Sequence, residues 1–253
     1  MINRRRSPGL LATLCLTLAS LWQAGAEAGL LASATRIVYP VGGREQVLEV
    51  SNTGATPVLV QSWVDDGQAN AAPEDSPSPF VVLPAVFRLE PGARQSLKVL
   101  FNARPLPQDR ESLFWLNLLE IPPTPTGAAL EDRLILTVQT QMKILLRPTA
   151  LGETQEQAAG RQVFTLTREA GRLRLHWHNP SPYHITLDHL RLSAPGTLLT
   201  VPGDLLAPYA KVTLDIQPTS GPGLAPGREA RLSYQSIGDQ GTPLALDQRL
   251  AVP

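Results

Sequence analysis

The sequence predicts an all-β protein of two β-sandwich domains behind a cleaved signal peptide. Three observations predict it. Apolar runs of four to eight residues recur between turn residues, a pattern typical of antiparallel strands. Proline makes up 24 of the 253 residues, which favours short strands joined by turns over long helices. No stretch shows sustained helical periodicity flanked by caps, so long helices are not expected.

Composition excludes several functional classes. The chain has 22 basic and 22 acidic residues, so no basic excess is available for general nucleic-acid binding. Apolar residues make up 43% and charged residues 17%, which is enough to bury a core. A single Cys excludes an internal disulfide framework.

Residues 1–28 have the pattern of a secretory signal peptide. Three arginines at 4–6 precede an uncharged, mostly apolar run of 13 residues from Leu10 to Trp22, and small residues place the cleavage after Ala26 or Ala28. Removing this segment leaves 19 basic and 21 acidic residues and no Cys. No later segment reaches 18 uninterrupted apolar residues, so no membrane span is expected.

The mature chain divides into a first domain at 29–149, a hinge at 150–160 and a second domain at 161–253. The longest strand-like run extends from Glu131 to Arg147 and is stopped by Pro148. Strand-like runs in the first domain also cover 36–39, 47–50, 58–63 and 96–101. In the second domain they cover 163–166, 173–177, 185–187, 212–216 and 231–234. Two domains leave a cleft between them, a common place for a partner to bind.

The sequence shows no motif for catalysis or for a cofactor. It has no phosphate loop, no dinucleotide-binding glycine pattern and no nucleophile elbow. Four histidines lie within 14 residues, with Asp188 nearby: His176, His178, His184 and His189. A metal site needs three or four converging ligands. We therefore interpret the histidines as strand and turn residues and expect no metal, with a zinc hydrolase as an alternative.

One segment, Leu106 to Pro123, reads LPQDRESLFWLNLLEIPP. It resembles the signature of the periplasmic pilus-assembly chaperones of the chaperone–usher pathway, the family that includes the type 1 and P pilus chaperones. Ala34–Pro40, Gln139–Pro148 and Asn179–Tyr183 resemble further segments of that family. The short stretch from Pro122 to Asp132 and the absence of Cys resemble its short-loop branch.

The resemblance implies two immunoglobulin-like domains in a boomerang arrangement, and a function without catalysis. A chaperone of this family binds a pilin subunit whose own sandwich lacks a strand. It lends an edge strand to that subunit and then delivers it to an outer-membrane usher. The implied location is the periplasm. A secreted immunoglobulin-like adhesin or carbohydrate-binding module is the alternative.

The resemblance also implies roles for individual residues. Arg36 and Lys143 match the basic pair that binds the C-terminal carboxylate of the subunit, a task that suits two cations. Leu134, Leu136 and Val138 match the donated strand. Their alternation places them on one face, where they can fill pockets of a guest. Strict alternation places Lys143 opposite to Val138, so a twist or a bulge must intervene.

Two further groups come from the same resemblance. An ionic network between the domains would comprise Glu111, Arg147 and Asp239. An usher-facing surface would comprise Leu59, Gln61, Pro84 and Arg88. An open apolar edge also makes self-association of the free protein an expectation.

Overall fold

The computed structural model describes residues 29–67, 78–102, 104–124, 136–220 and 224–253. These residues form two β-sandwich domains, so the predicted all-β class is confirmed. The predicted signal peptide lies outside the described residues, as does Leu134. Within the described ranges, no helix is long and apolar enough to cross a membrane.

The N-terminal domain is built from two facing sheets. Its described strands are β1 (Leu30–Ala32), β2 (Arg36–Pro40), β3 (Gln46–Asn52), β4 (Val58–Asp65), β5 (Phe80–Leu83), β6 (Val86–Leu89), β7 (Arg94–Phe101), β8 (Ser112–Ile121) and β9 (Val138–Arg147). One sheet has the order β1-β3-β7-β5 and the other the order β2-β9-β8-β4-β6. Neighbouring strands are antiparallel except for β2 and β9, which run parallel.

Alternation in the sequence determines which side chains enter this core. In β4, Val58, Val60 and Val64 are buried, whereas Leu59 between them is 42% exposed. In β8, Leu116 and Leu118 are buried in the same core. This is the two-residue period of a strand with one face against the interior.

The C-terminal domain is a second sandwich. Its described strands are β10 (Val163–Glu169), β11 (Arg172–His178), β12 (Ile185–Ala194), β13 (Thr197–Val201), β14 (Asp204–Leu206), β15 (Lys211–Asp215), β16 (Gln217–Ser220), β17 (Glu229–Ile237) and β18 (Pro243–Ala251). One sheet has the order β10-β11-β15. The other has the order β16-β13-β12-β17-β18, with β14 also paired to β12. Trp177, 1% exposed, lies in the core between the sheets.

The segment between the domains differs from the expectation in one respect. Strand β9 ends at Arg147, directly before Pro148, as predicted. A short helix, α1 (Gln155–Gly160), which the sequence did not predict, then lies inside the predicted hinge. Its first turn is closed by a capping box, in which the hydroxyl of Thr154 accepts from the backbone N–H of Gln157, whose side chain accepts from the N–H of Thr154. The T-x-x-Q spacing was the available signal, but a helix this short shows no periodicity.

Candidate functional site

The candidate site lies along β9, which is paired on both sides over only half of its length. Strand β8 pairs with β9 from Val138 to Leu146. On the other side, β2 pairs only with Lys143 to Arg147. Among the described residues, no strand covers that side of the segment from Val138 to Met142. Its backbone donors and acceptors therefore form an open edge, to which another chain could add a strand.

Apolar side chains accompany this open edge. Leu136 is 65% exposed and Val138 is 52% exposed. By alternation, Val138 shares a face with Met142 and Ile144, both buried in the core of the N-terminal domain. The core-facing row of β9 thus continues into an exposed apolar end.

The register of β9 shows which face of the strand each side chain occupies. Pairing with β8 is continuous from Val138 to Leu146, so of the two expected irregularities, a twist or a bulge, the bulge is absent there. Lys143 lies on the face opposite to Val138, as strict alternation requires. The exposed apolar positions and the basic pair therefore belong to opposite faces of β9.

Arg36 and Lys143 lie directly opposite each other in the parallel pairing of β2 and β9. The Arg36 guanidinium donates through Nη1 to the backbone oxygen of Ile237 in the C-terminal domain, at 3.1 Å. The Lys143 ammonium lies 5.4 Å from the ring centroid of Trp115, its neighbour on β8. Arg36 is therefore at the contact between the domains, and Lys143 lies beside it.

Both cations are half-buried, and neither forms an ion pair with an acidic side chain of the described residues. Burial lowers the pKa of Arg36 below its ordinary value, although the negative charges of Asp239 and Glu111 oppose this shift. Burial also lowers the pKa of Lys143, and the positive charge of Arg36 lowers it further. The Nε of Arg36 is buried without a hydrogen-bond partner. Two adjacent cations with an unused donor form a site suited to an anion.

The second group of charges connects the two domains. Arg147 donates through Nε to Glu111 at 2.6 Å and through both terminal nitrogens to Asp239 at 2.6 and 2.7 Å. The Glu111 side chain is 1% exposed and the Arg147 side chain 17%. Burial lowers the pKa of Arg147, but the carboxylates of Asp239 and Glu111 outweigh it and hold that pKa above its ordinary value.

Two residues of the C-terminal domain join this network and were not predicted. The backbone N–H of His184 donates to Glu111 at 2.7 Å, and the Arg147 guanidinium lies 4.9 Å from the ring centroid of Tyr183. Both follow the turn that begins at Asn179, whose buried side-chain amide donates to the backbone oxygen of Tyr183. The resemblance had identified that turn but not its contact with Arg147.

The histidine cluster is divided among different surroundings. The His176 ring contacts the hydroxyls of Thr167 and Thr213, and His184 lies in the domain interface. His189 contacts the neighbouring Asp188. Among the described residues, no group of three or more potential ligands could hold a metal ion. The structure therefore gives the zinc hydrolase alternative no support.

The residues predicted to face an usher lie near the edge of the five-stranded sheet that β6 forms. Leu59 on β4 is directly opposite Arg88 on β6, and Gln61 follows on the same face of β4. Pro84 connects β5 to β6 and accepts a hydrogen bond from Ser62 at 3.0 Å. A groove of about 300 Å³ beside Leu59 and Arg88 is otherwise lined mainly by prolines and by Ile121. The four residues are neighbours, and their role stays a prediction.

Comparison with known proteins identifies the family. Residues 29–152 match the model described as the N-terminal domain of the pili and flagellar-assembly chaperone PapD, and residues 158–247 match that of the PapD C-terminal domain. The chain is 37% identical to the chaperone protein FimB/FhaD of Bordetella pertussis, over 87% of this chain and 90% of the relative. It is 29% identical to the probable fimbrial chaperone YadV of Escherichia coli, over 94% of this chain and 96% of the relative.

Solved structures agree with this assignment. The CupB2 chaperone of Pseudomonas aeruginosa matches with a TM-score of 0.72 and 33% identity, over 87% of this chain and all of that one. The SafB chaperone of Salmonella enterica, solved in complex with the SafA pilin, matches with a TM-score of 0.69 and 29% identity, over 87% of this chain and 95% of that one. These matches favour a chaperone over the adhesin or carbohydrate-binding alternative. The chain belongs to the PapD family of pilus-assembly chaperones.

Proposed function

We propose that this chaperone binds a pilin subunit by adding the open edge of β9 to the subunit's incomplete sandwich, with the subunit's C-terminal carboxylate held by Arg36 and Lys143. The observation that carries the proposal is their adjacency: the edge of β9 opens at Met142, one residue before the basic pair. A guest strand that paired with β9 along 138–142, in line with β2, would therefore end beside the two cations.

The basic pair would fix the register in which the guest strand pairs with β9. A terminal carboxylate is present once in a chain, whereas backbone hydrogen bonds are available at every step along a strand. Anchoring it between Arg36 and Lys143 fixes which guest residue lies opposite Val138. A slip of one residue would turn every guest side chain to the wrong face.

The exposed apolar row supplies part of the affinity. Val138 and Leu136, and Leu134 by the pattern of the sequence, would enter pockets of the guest. Full burial of one such side chain contributes about 1.5–3 kcal/mol before the costs of association. The same open edge supports self-association of the free protein, since it is available to a second copy.

The remaining assignments complete the proposal. The protein would act without catalysis, since a pilus chaperone is not an enzyme class. It would act in the periplasm after removal of residues 1–28, and Leu59, Gln61, Pro84 and Arg88 would face the usher. The segment 150–160 would act as the hinge between the domains at 29–149 and 161–253.

Co-expression with a pilin subunit of the same fimbrial system tests this function. The periplasmic fraction should contain the pilin in an equimolar complex with the chaperone, and the pilin should be lost when the chaperone is absent. A pilin that accumulates equally well without the chaperone contradicts the proposed function.

The substitution Val138→Asp should weaken the pilin complex at least tenfold, because it places a carboxylate in an apolar pocket. Val81→Asp is the matched control, since Val81 is 50% exposed on β5, an edge strand of the other sheet. Affinities can be measured by competition for the purified pilin. Equal losses in the two variants would show that β9 has no special part in binding.

Affinity should also depend on pH through Lys143. Its pKa is lowered in the free protein, and a bound carboxylate would raise it again. At a pH between the pKa of Lys143 in the free protein and its pKa in the complex, binding requires the uptake of a proton. Affinity should therefore fall as the pH rises toward the ordinary lysine range. The folding contribution of Lys143 has the opposite sign: because its pKa is lowered in the folded state, that contribution rises with pH.

Titration calorimetry from pH 7 to 10.5, the ordinary lysine pKa, checks this prediction, with a synthetic peptide of the pilin's C-terminal strand. The Lys143→Arg variant is the control, because its guanidinium stays charged throughout. The decline should disappear in that variant. A decline of the same size there would assign the pH dependence to another group.

A further inference from the structure

A buried polar chain connects the open half of β9 to the middle of the five-stranded sheet. Asn117 on β8 has no exposed surface, and its Oδ1 accepts hydrogen bonds from Gln139 and Gln141 of β9, each at 2.9 Å. Its Nδ2 donates to the Oδ2 of Asp65 on β4 at 2.6 Å. Asp65 is itself 1% exposed, and its other oxygen accepts from the backbone N–H of Gly67 at 2.8 Å.

The carboxylate of Asp65 is one of two acceptors that determine how the amide of Asn117 is turned. A carboxylate only accepts hydrogen bonds, so the Asn117 side chain must present its NH₂ to Asp65. Its carbonyl oxygen then faces β9, where its two lone pairs receive the two glutamine donors. The backbone oxygen of Trp115 accepts from the same Nδ2 at 3.2 Å, so Asp65 and that oxygen together hold the amide in this orientation.

Gln139 and Gln141 lie in the part of β9 that is paired on one side only. The segment from Val138 to Met142 is bonded to β8 on one side and open on the other. A strand end held by a single ladder opens more readily than one held by two. Side-chain bonds from Gln139 and Gln141 to β8 add to that single ladder without occupying the open edge.

We propose that Asp65 and Asn117 are positioning residues that hold Gln139 and Gln141, and thereby keep the open half of β9 extended and in register before a pilin arrives. The proposal rests on the proposed function for its purpose, since an edge already extended binds without a further ordering cost. Its physical content concerns the free protein alone.

The double variant Gln139→Ala/Gln141→Ala tests the proposal. Both side chains are exposed, but the variant leaves the buried Oδ1 of Asn117 without its two donors, so its urea midpoint should fall modestly while unfolding stays a single transition. Amide hydrogen exchange over 138–142 of the free protein should become roughly fivefold faster, the effect of about one net hydrogen bond. Gln95→Ala is the control, because Gln95 is a partly exposed glutamine on β7 whose side chain donates to the backbone oxygen of its neighbour Ser96.

Binding kinetics with the purified pilin give a second measurement. A loss of preorganisation lowers the association rate and leaves the dissociation rate within twofold, because the bound strand is ordered in either case. Unchanged exchange over 138–142 overturns the proposal. So does a loss of affinity that lies only in the dissociation rate, since the glutamines would then be contacts of the guest. Exchange is measured without pilin, so a failure of the proposed function leaves its result intact.

Discussion

Replacing Arg36 or Lys143 with alanine should reduce the affinity for a pilin subunit by about 2–5 kcal/mol, roughly thirtyfold or more, while leaving the fold intact. Each substitution removes one of the two charges that would hold the terminal carboxylate. The remaining cation is half-buried and without an acidic partner among the described residues, so it cannot replace the lost contact. The yield of pilin complex from the periplasm should fall accordingly.

The controls separate the carboxylate from general electrostatics. Arg94→Ala and Lys98→Ala remove exposed cations of β7 that pair with Glu49 and Glu45, and neither should change pilin binding. A synthetic peptide of the pilin's C-terminal strand should also bind the native protein more tightly with a free carboxylate than with a terminal amide. That difference should vanish in Lys143→Ala. If the variant weakens both peptides equally, Lys143 does not bind the carboxylate.

Replacing Arg147 with alanine should have the largest effect on stability, about 3–5 kcal/mol of unfolding free energy. The reason is Glu111, whose side chain is 1% exposed and would lose its cationic partner. Asp239 would lose a bidentate contact at the same time, and with it a connection between the domains. Urea unfolding measures the loss, and small-angle scattering reports whether the domains remain in one orientation.

The matched control for this prediction is Arg231→Ala. Arg231 also forms an ion pair, with Asp247 at 3.0 Å, but both side chains are exposed. Exposed pairs contribute about 0–1 kcal/mol, so this variant should unfold close to the native protein. A loss for Arg147→Ala no larger than for Arg231→Ala would mean that the network does not orient or stabilise the domains.

Much of the fold could be predicted because strand periodicity is a local property. The strand-like run predicted at 58–63 lies within β4, and Pro148 marked the end of β9. Helix α1 was missed because it has only 6 residues, too few for periodicity to distinguish it from a polar turn.

The site was harder to predict from the sequence because it depends on contacts between segments that are far apart in the chain. Arg36 and Lys143 are 107 positions apart, and only the parallel pairing of β2 with β9 places them together. Their prediction came from the family resemblance. The contact of His184 with Glu111 uses a backbone N–H, which carries no residue-specific pattern. The chain from Asp65 to Gln141 depends on the order of three strands, which periodicity does not determine.

Whether β9 lends its open edge to the pilin is tested most directly by hydrogen exchange of the chaperone, measured by mass spectrometry for the free protein and for its complex with the pilin. We expect new protection in peptides that cover Leu136 to Lys143, with no change along β5, the comparable edge of the other sheet. Protection along β5 with β9 unchanged would contradict strand donation by β9.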